Sequence, residues 1–161
     1  MIAEAKARLL IDAARARGLR IVTAESCTGG LVSAAITDIA GASDVFDRGF
    51  VTYSYPAKVA MLAVPQLLLA EHGAVSEPVA RAMAEGGLAA SEADVAVAVT
   101  GVAGPGGSEA KPEGLVWFAT ATALETRAER RAFGAPGRER VRALSVETAL
   151  DLALQALERL P

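Results

Sequence analysis

Cysteine and histidine are almost missing from this chain: Cys27 is its one thiol and His72 its one imidazole among 161 residues. A single thiol excludes an intrachain disulfide and fits a reducing compartment. One cysteine and one histidine cannot frame a zinc site, and no metal is expected. Serine or cysteine nucleophiles that rely on histidine need an imidazole free to act as base. His72 stands in Leu69-Ala70-Glu71-His72-Gly73, where it reads as a residue at a helix C-terminus that favours the dipole or caps carbonyls. A hydrolase built on this chain must therefore use another base.

Aromatic residues make up only 4% against 52% hydrophobic, so the core must be Ala, Val, Leu and Ile packed tightly, which favours α/β layering. Excess positive charge is lacking too. The formal net charge of −3 argues against a general nucleic-acid binder, which needs a basic surface. No stretch has the length and uniform apolarity of a membrane span. The first twenty residues scatter Glu4, Lys6, Arg8, Asp12, Arg15 and Arg17 among apolar positions, unlike a signal peptide. The expectation is one cytoplasmic domain over 1–161, with no membrane or nucleic-acid partner.

Helical spacing over 3–17 ends at Gly18, and 19–23 reads as a short strand. Glu25-Ser26-Cys27-Thr28-Gly29-Gly30 is a strand-to-helix turn, followed by a helix over 31–38 that stops by Gly41. Residues 45–54 read as a strand, and Pro56 suits the first turn of the next helix, which also holds Lys58. Ser76-Glu77-Pro78 starts a helix that runs to about 90, and 94–100 is an apolar strand. A loop rich in glycine and proline spans 101–114. Strands at 115–123 and 126–133 form an antiparallel pair around Leu124-Glu125, before a last helix over 138–160. This order gives a mixed sheet covered on both faces.

Lysine is scarce among the bases: Lys6, Lys58 and Lys111 stand against 13 arginines. Arginine cannot give up its proton at working pH, whereas lysine can be tuned to do so. Lys6 is expected on the exposed face of the first helix, and Lys111 in the loop, solvated or holding an anion. Lys58, facing the positive end of a helix dipole and partly buried, would have its charge disfavoured by both effects. Taken alone it reads first as a surface lysine. Ser26 is the matching nucleophile, beside helix N–H groups able to hold an oxyanion; taken alone it reads as an N-cap. Cys27 and Thr28 are neighbouring alternatives, Cys27 also fitting a small buried hydrophobe. The segment Thr100-Gly101-Val102-Ala103-Gly104-Pro105-Gly106-Gly107 is neither a Walker loop nor a dinucleotide fingerprint. Arg127, Arg130, Arg131, Arg138, Arg140 and Arg142 cluster late in the chain, as a phosphate site or as a solvated face.

Taken together, Thr23-Ala24-Glu25-Ser26-Cys27-Thr28-Gly29-Gly30, Gly49-Phe50-Val51-Thr52-Tyr53-Ser54, His72-Gly73-Ala74-Val75-Ser76 and Thr100-Gly101-Val102-Ala103-Gly104-Pro105 resemble the CinA C-terminal family in its stand-alone form. That family includes nicotinamide-nucleotide amidases. The resemblance implies a three-layer α/β/α sandwich with a five-stranded mixed β-sheet. It also implies hydrolysis of nicotinamide mononucleotide to nicotinate mononucleotide and ammonia, without a cofactor, in pyridine nucleotide recycling. It puts the nucleophile at Ser26 and its base at Lys58, with Tyr53 and Thr100 nearby in the pocket. Thr28, Gly29, Gly30, Gly101 and Gly104 would shape the substrate site, and Arg138 with Arg142 would hold the phosphate. A homo-oligomer such as a dimer is expected. Three segments depart from the family pattern: Tyr55-Pro56, the Gly106-Gly107 loop, and Ala135-Pro136-Gly137 before Arg138. Two other readings stay open: a nucleotide-binding regulatory module linked to competence or DNA damage, and an amidase for another small amide.

Overall fold

The structure is a computed structural model that describes residues 2–108 and 110–161. Helix α1 (Ile2–Arg17) leads through Gly18, whose φ of 65° turns the chain, into strand β1 (Ile21–Glu25). There follow α2 (Leu31–Thr37), a 3-10 turn (Ala42–Asp44), β2 (Phe46–Val51), α3 (Tyr55–Leu62), α4 (Gln66–His72) and α5 (Glu77–Ala89). The chain closes with β3 (Val95–Gly101), β4 (Leu115–Ala121), β5 (Thr126–Ala132) and α6 (Arg138–Glu158).

The five strands form one sheet in the order β2-β1-β3-β4-β5. β1 runs parallel to β2 and β3, while β3–β4 and β4–β5 are antiparallel. The sheet is mixed because β1, β2 and β3 are connected through helices, whereas β4 follows β3 through a loop and β5 follows β4 through a hairpin. One helix layer, α1, α2 and α6, packs on Ile21, Val95, Val97, Val99, Val116 and Phe118. The other, α3 to α5, packs on Val22, Ala24, Ala96, Ala98, Ala119 and Ala121. This is the three-layer α/β/α sandwich.

Alternation along β3 makes the two faces unequal, with valines on one side and alanines on the other. The alanine face lets α5 approach closely, and Gly86 and Gly87 complete the fit: a Cβ on Gly86 would collide with the Leu62 carbonyl at the end of α3. That close packing fixes α3, and with it Lys58. On the valine face, Leu10, Ile11, Ile36, Leu150 and Leu157 are fully or almost fully buried, each contributing about 1.5–3 kcal/mol relative to exposure.

Several boundaries move from the sequence reading. β1 occupies Ile21–Glu25 rather than 19–23, because the Arg20 N–H is capped by Asp94 Oδ2 at 2.8 Å and the fully buried run Ile-Val-Thr-Ala-Glu carries the ladder. β2 stops at Val51 instead of reaching Ser54, whose hydroxyl turns away to cap α3 by accepting from Ala57 N–H at 3.1 Å. Lys6 is not a free surface charge but pairs with Asp151 of α6. Among the described residues no helix is long and apolar enough to cross a membrane.

Candidate active site

The site lies at the carboxyl ends of β1 and β3, where parallel strands leave room for the loops that follow. Ser26 is the first residue beyond β1, and its N–H donates to Val99 O at 3.0 Å, which ties it to β3. Immediately before it, the Glu25 carboxylate points back under the turn and is fully buried. Its Oε1 accepts from Thr28 Oγ1 at 2.7 Å, Gly30 N at 3.2 Å and Val32 N at 2.9 Å; its Oε2 accepts from Ser33 N at 2.9 Å and Ser33 Oγ at 2.7 Å. Gly30, at φ 105°, stands at the N-cap of α2 and has no side chain to cap with. Glu25 takes over that task, stabilised by the N-terminal donors and the helix dipole.

This corrects one expectation. The N–H groups at the start of α2 do not face Ser26 as oxyanion donors, because those of Gly30, Val32 and Ser33 are committed to Glu25.

Lys58 enters from the opposite side on the first turn of α3. It is 1% exposed, although lysine is almost never fully buried unless paired. Its Nζ donates to Ser26 Oγ at 2.9 Å, to Thr52 O at 2.7 Å and to Tyr53 O at 3.4 Å. Pro56 is accommodated at the helix start, where its missing N–H costs nothing. The amine thus sits on the Ser26 hydroxyl, held by two carbonyls and shielded from water.

Ser26, Lys58, Cys27, Tyr53, Thr100 and Arg138 line one cavity of about 260 Å³, walled by the backbone of residues 101–108. Thr100 Oγ1 donates to Ala74 O at 2.9 Å and so fixes the α4–α5 connection against β3. Arg138, at the first position of α6, donates to Gly104 O at 2.8 Å and to the Tyr53 phenol oxygen at 3.2 Å. It thereby joins three segments at the rim and leaves the cavity with a cationic edge. Gly101 and Gly104 lie in the wall. At Gly101 a side chain is excluded by Val116, whose Cγ2 would be 2.6 Å from a Cβ.

The structure does not bring every expected residue to the cavity. Thr28, Gly29 and Gly30 lie behind the Ser26 turn, away from the lining. So does Arg142, which donates to Cys27 O at 3.1 Å and Thr28 O at 3.4 Å and braces the turn from α6. Lys111 is half-buried and committed to carbonyls: its Nζ donates to His72 O at 2.7 Å and also to Val75 O, stapling the loop to the α4–α5 connection. His72 is partly exposed beside Glu71 at the C-terminus of α4. Arg127 pairs with Glu125 and Arg131 with Glu129 along the sheet edge, far from Ser26 in the fold.

Cys27 lines the cavity, yet burial pushes its thiol up to about 11; its own N–H, Lys58 and Arg142 pull the other way, and Glu25 adds to the rise. A thiol neutral at pH 7 is a poor nucleophile. Sequence reasoning missed Glu25, although a lone carboxylate ending an apolar strand before a serine- and glycine-rich turn was a signal, since such a group needs several donors.

The fold and the site define an α/β domain built around a buried serine–lysine pair. The model of the CinA C-terminal domain matches residues 3–157, and the chain belongs to that family. It is 54% identical over 145 residues to the nicotinamide-nucleotide amidohydrolase PncC of Escherichia coli (strain K12), covering 89% of this chain and 88% of that protein. It is 61% identical over 113 residues to the nicotinamide-nucleotide amidohydrolase PncC of Shigella flexneri, covering 70% and 68%. Among solved structures, the competence/damage inducible protein CihA from Agrobacterium tumefaciens superposes with a TM-score of 0.94 at 47% identity, over 99% of this chain and 97% of that one.

Proposed function

We propose that the protein hydrolyses the carboxamide of nicotinamide mononucleotide to nicotinate mononucleotide and ammonia, in the recycling of pyridine nucleotides. The observation that carries the reading is the 2.9 Å contact between Lys58 Nζ and Ser26 Oγ, buried at the base of a cavity with a cationic rim. Relatives named for nicotinamide-nucleotide hydrolysis support the choice of substrate.

Lys58 in its neutral form takes the Ser26 proton as Oγ attacks the carboxamide carbon. The lysine then returns that proton to nitrogen as the C–N bond breaks, so ammonia leaves and an ester to Ser26 remains. Water, deprotonated by the same amine, attacks the ester and releases nicotinate mononucleotide. The oxyanion falls to backbone N–H groups outside α2, from Cys27 or from Ala103, Gly104 or Gly107, since those of α2, Val102 and Gly106 are taken. The pyridinium ring withdraws electrons from the amide and assists both steps. Arg138 at the rim holds the phosphate by charge-assisted hydrogen bonds. Thr100 and Tyr53 place the walls on either side of the reacting amide. The same reading puts the protein in the cytoplasm, and as a homo-oligomer, whose size sedimentation of the purified protein checks.

Ammonia release measured over the mononucleotide, its riboside, free nicotinamide and an unrelated small amide tests the proposal. Preference for the mononucleotide is expected. Turnover of another amide alone would reassign the substrate, and binding of the nucleotide without turnover would make the protein a nucleotide sensor.

A further inference from the structure

Glu25 is a buried carboxylate that the chemistry proposed above does not use. Five donors converge on its two oxygens at 2.7–3.2 Å, and all come from the turn and helix that follow Ser26. On the strand side its own carbonyl accepts from Thr52 N–H at 2.8 Å. Thr52 is also the residue whose carbonyl receives Lys58 Nζ. Residue 25 is therefore bonded through its side chain to the segment that carries the nucleophile and through its backbone to the segment that holds the base.

We propose that Glu25 is a positioning residue for the reaction, locking the Ser26 turn so that its hydroxyl meets Lys58 and taking the α2 donors out of play. The inference rests on Ser26 being the nucleophile, as read above. Two physical points single out a carboxylate here. Gly30 offers no cap, so without Glu25 the first turn of α2 would leave buried N–H groups unpaired. Glutamine, although the same size, would present an N–H₂ group to donors on one side and lose those bonds. Aspartate keeps both acceptor oxygens but is one methylene short. The Glu25 charge also lies close enough to Cys27 to act on its thiol together with Lys58 and Arg142, which places all these charges around one turn.

The test combines steady-state kinetics with labelling of Ser26 by a small fluorophosphonate. In that reaction the serine Oγ–P bond forms, fluoride leaves and the serine proton passes to the base. Glu25→Gln is expected to lower kcat at least 100-fold and the labelling rate in parallel, with KM within threefold of wild type. Glu25→Asp should retain more of both than Glu25→Gln. Thr28→Val, which removes one donor to Glu25 and keeps the side chain's size, should lower kcat about three- to tenfold while circular dichroism and the melting temperature stay near wild type; it decides the matter should Glu25→Gln not fold. A merely structural carboxylate would lower the melting temperature and leave kcat and labelling per folded molecule unchanged, and that result would overturn the proposal. Wild-type protein labelled only at Ser26 but inactive on the mononucleotide would sink the substrate reading and leave this one standing. Labelling elsewhere would sink both.

Discussion

The two glycine-rich segments at the mouth of the sheet are built in opposite ways. The turn after β1 is buried over Ser26, Cys27 and Thr28, and its polar groups are satisfied from inside by Glu25 and from behind by Arg142. The loop after β3 is largely exposed at 104–108 and is held by ties to its neighbours: Arg138 on Gly104 O, Glu113 Oε1 accepting from Gly106 N–H at 2.7 Å, and Lys111 on two carbonyls. The first is a rigid seat for Ser26, which as the proposed nucleophile must be placed within tenths of an ångström to react. The second is a wall that can fit a ligand. Damage to the first should lower kcat, and damage to the second should mainly raise KM.

The largest effect separating the two is expected at the base. Lys58→Arg should cost about a thousandfold or more in kcat, because arginine stays protonated and cannot accept the serine proton. Turnover above a tenth of wild type would show that Lys58 serves only to place Ser26. Next comes the rim. Arg138→Ala should raise KM for the mononucleotide by about tenfold and leave the riboside nearly unaffected, a charge-assisted phosphate contact contributing about 1.5–3 kcal/mol. Equal losses on both compounds would assign Arg138 to the Tyr53–Gly104 junction alone.

A smaller change is expected from Lys111→Met, which frees the loop from the α4–α5 connection. KM should rise about fivefold, with kcat changed less than threefold, as fits the loss of about 1 kcal/mol of hydrogen bonding. A dominant fall in kcat would make the loop part of the catalytic seat and erase the contrast. Cys27→Ala should change turnover least. Its signature is in stability: the wild-type thiol is raised from an ordinary 9.0 to about 11, so the unfolded chain loses its proton first as pH rises. Folding stability should therefore fall between about pH 9 and pH 11, by about 3 kcal/mol, beyond any fall seen in Cys27→Ala. Parallel denaturation curves for the two proteins would show that the thiol titrates normally.

Much of this contrast was legible in the sequence because the local signals agree with the fold. Gly18, Pro56, Pro78 and Gly101 mark ends and starts where the structure has them, and the β4–β5 hairpin shows in two strand-like runs around the short turn at Leu124-Glu125. The want of a usable histidine directs attention to serine and lysine by chemistry alone. What escaped are contacts across the chain. The Lys111 staple joins residues 36 and 39 apart in sequence, and Arg142 reaches back over more than a hundred residues to brace the Ser26 turn. Spacing cannot reveal such pairs. Glu25 escaped for a different reason: its donors lie within eight residues of it, yet a carboxylate at the end of a strand usually faces solvent, and the residue reads as part of the turn rather than as its cap.

The central claim, that Ser26 and Lys58 act as one unit, is tested most directly by a double-mutant cycle on kcat. Ser26→Ala and Lys58→Ala are each expected to lower turnover about a thousandfold or more, and the double variant to be little worse than either, provided circular dichroism shows all three folded. Multiplying losses, or a folded Ser26→Ala that keeps more than a tenth of wild-type turnover, would contradict it.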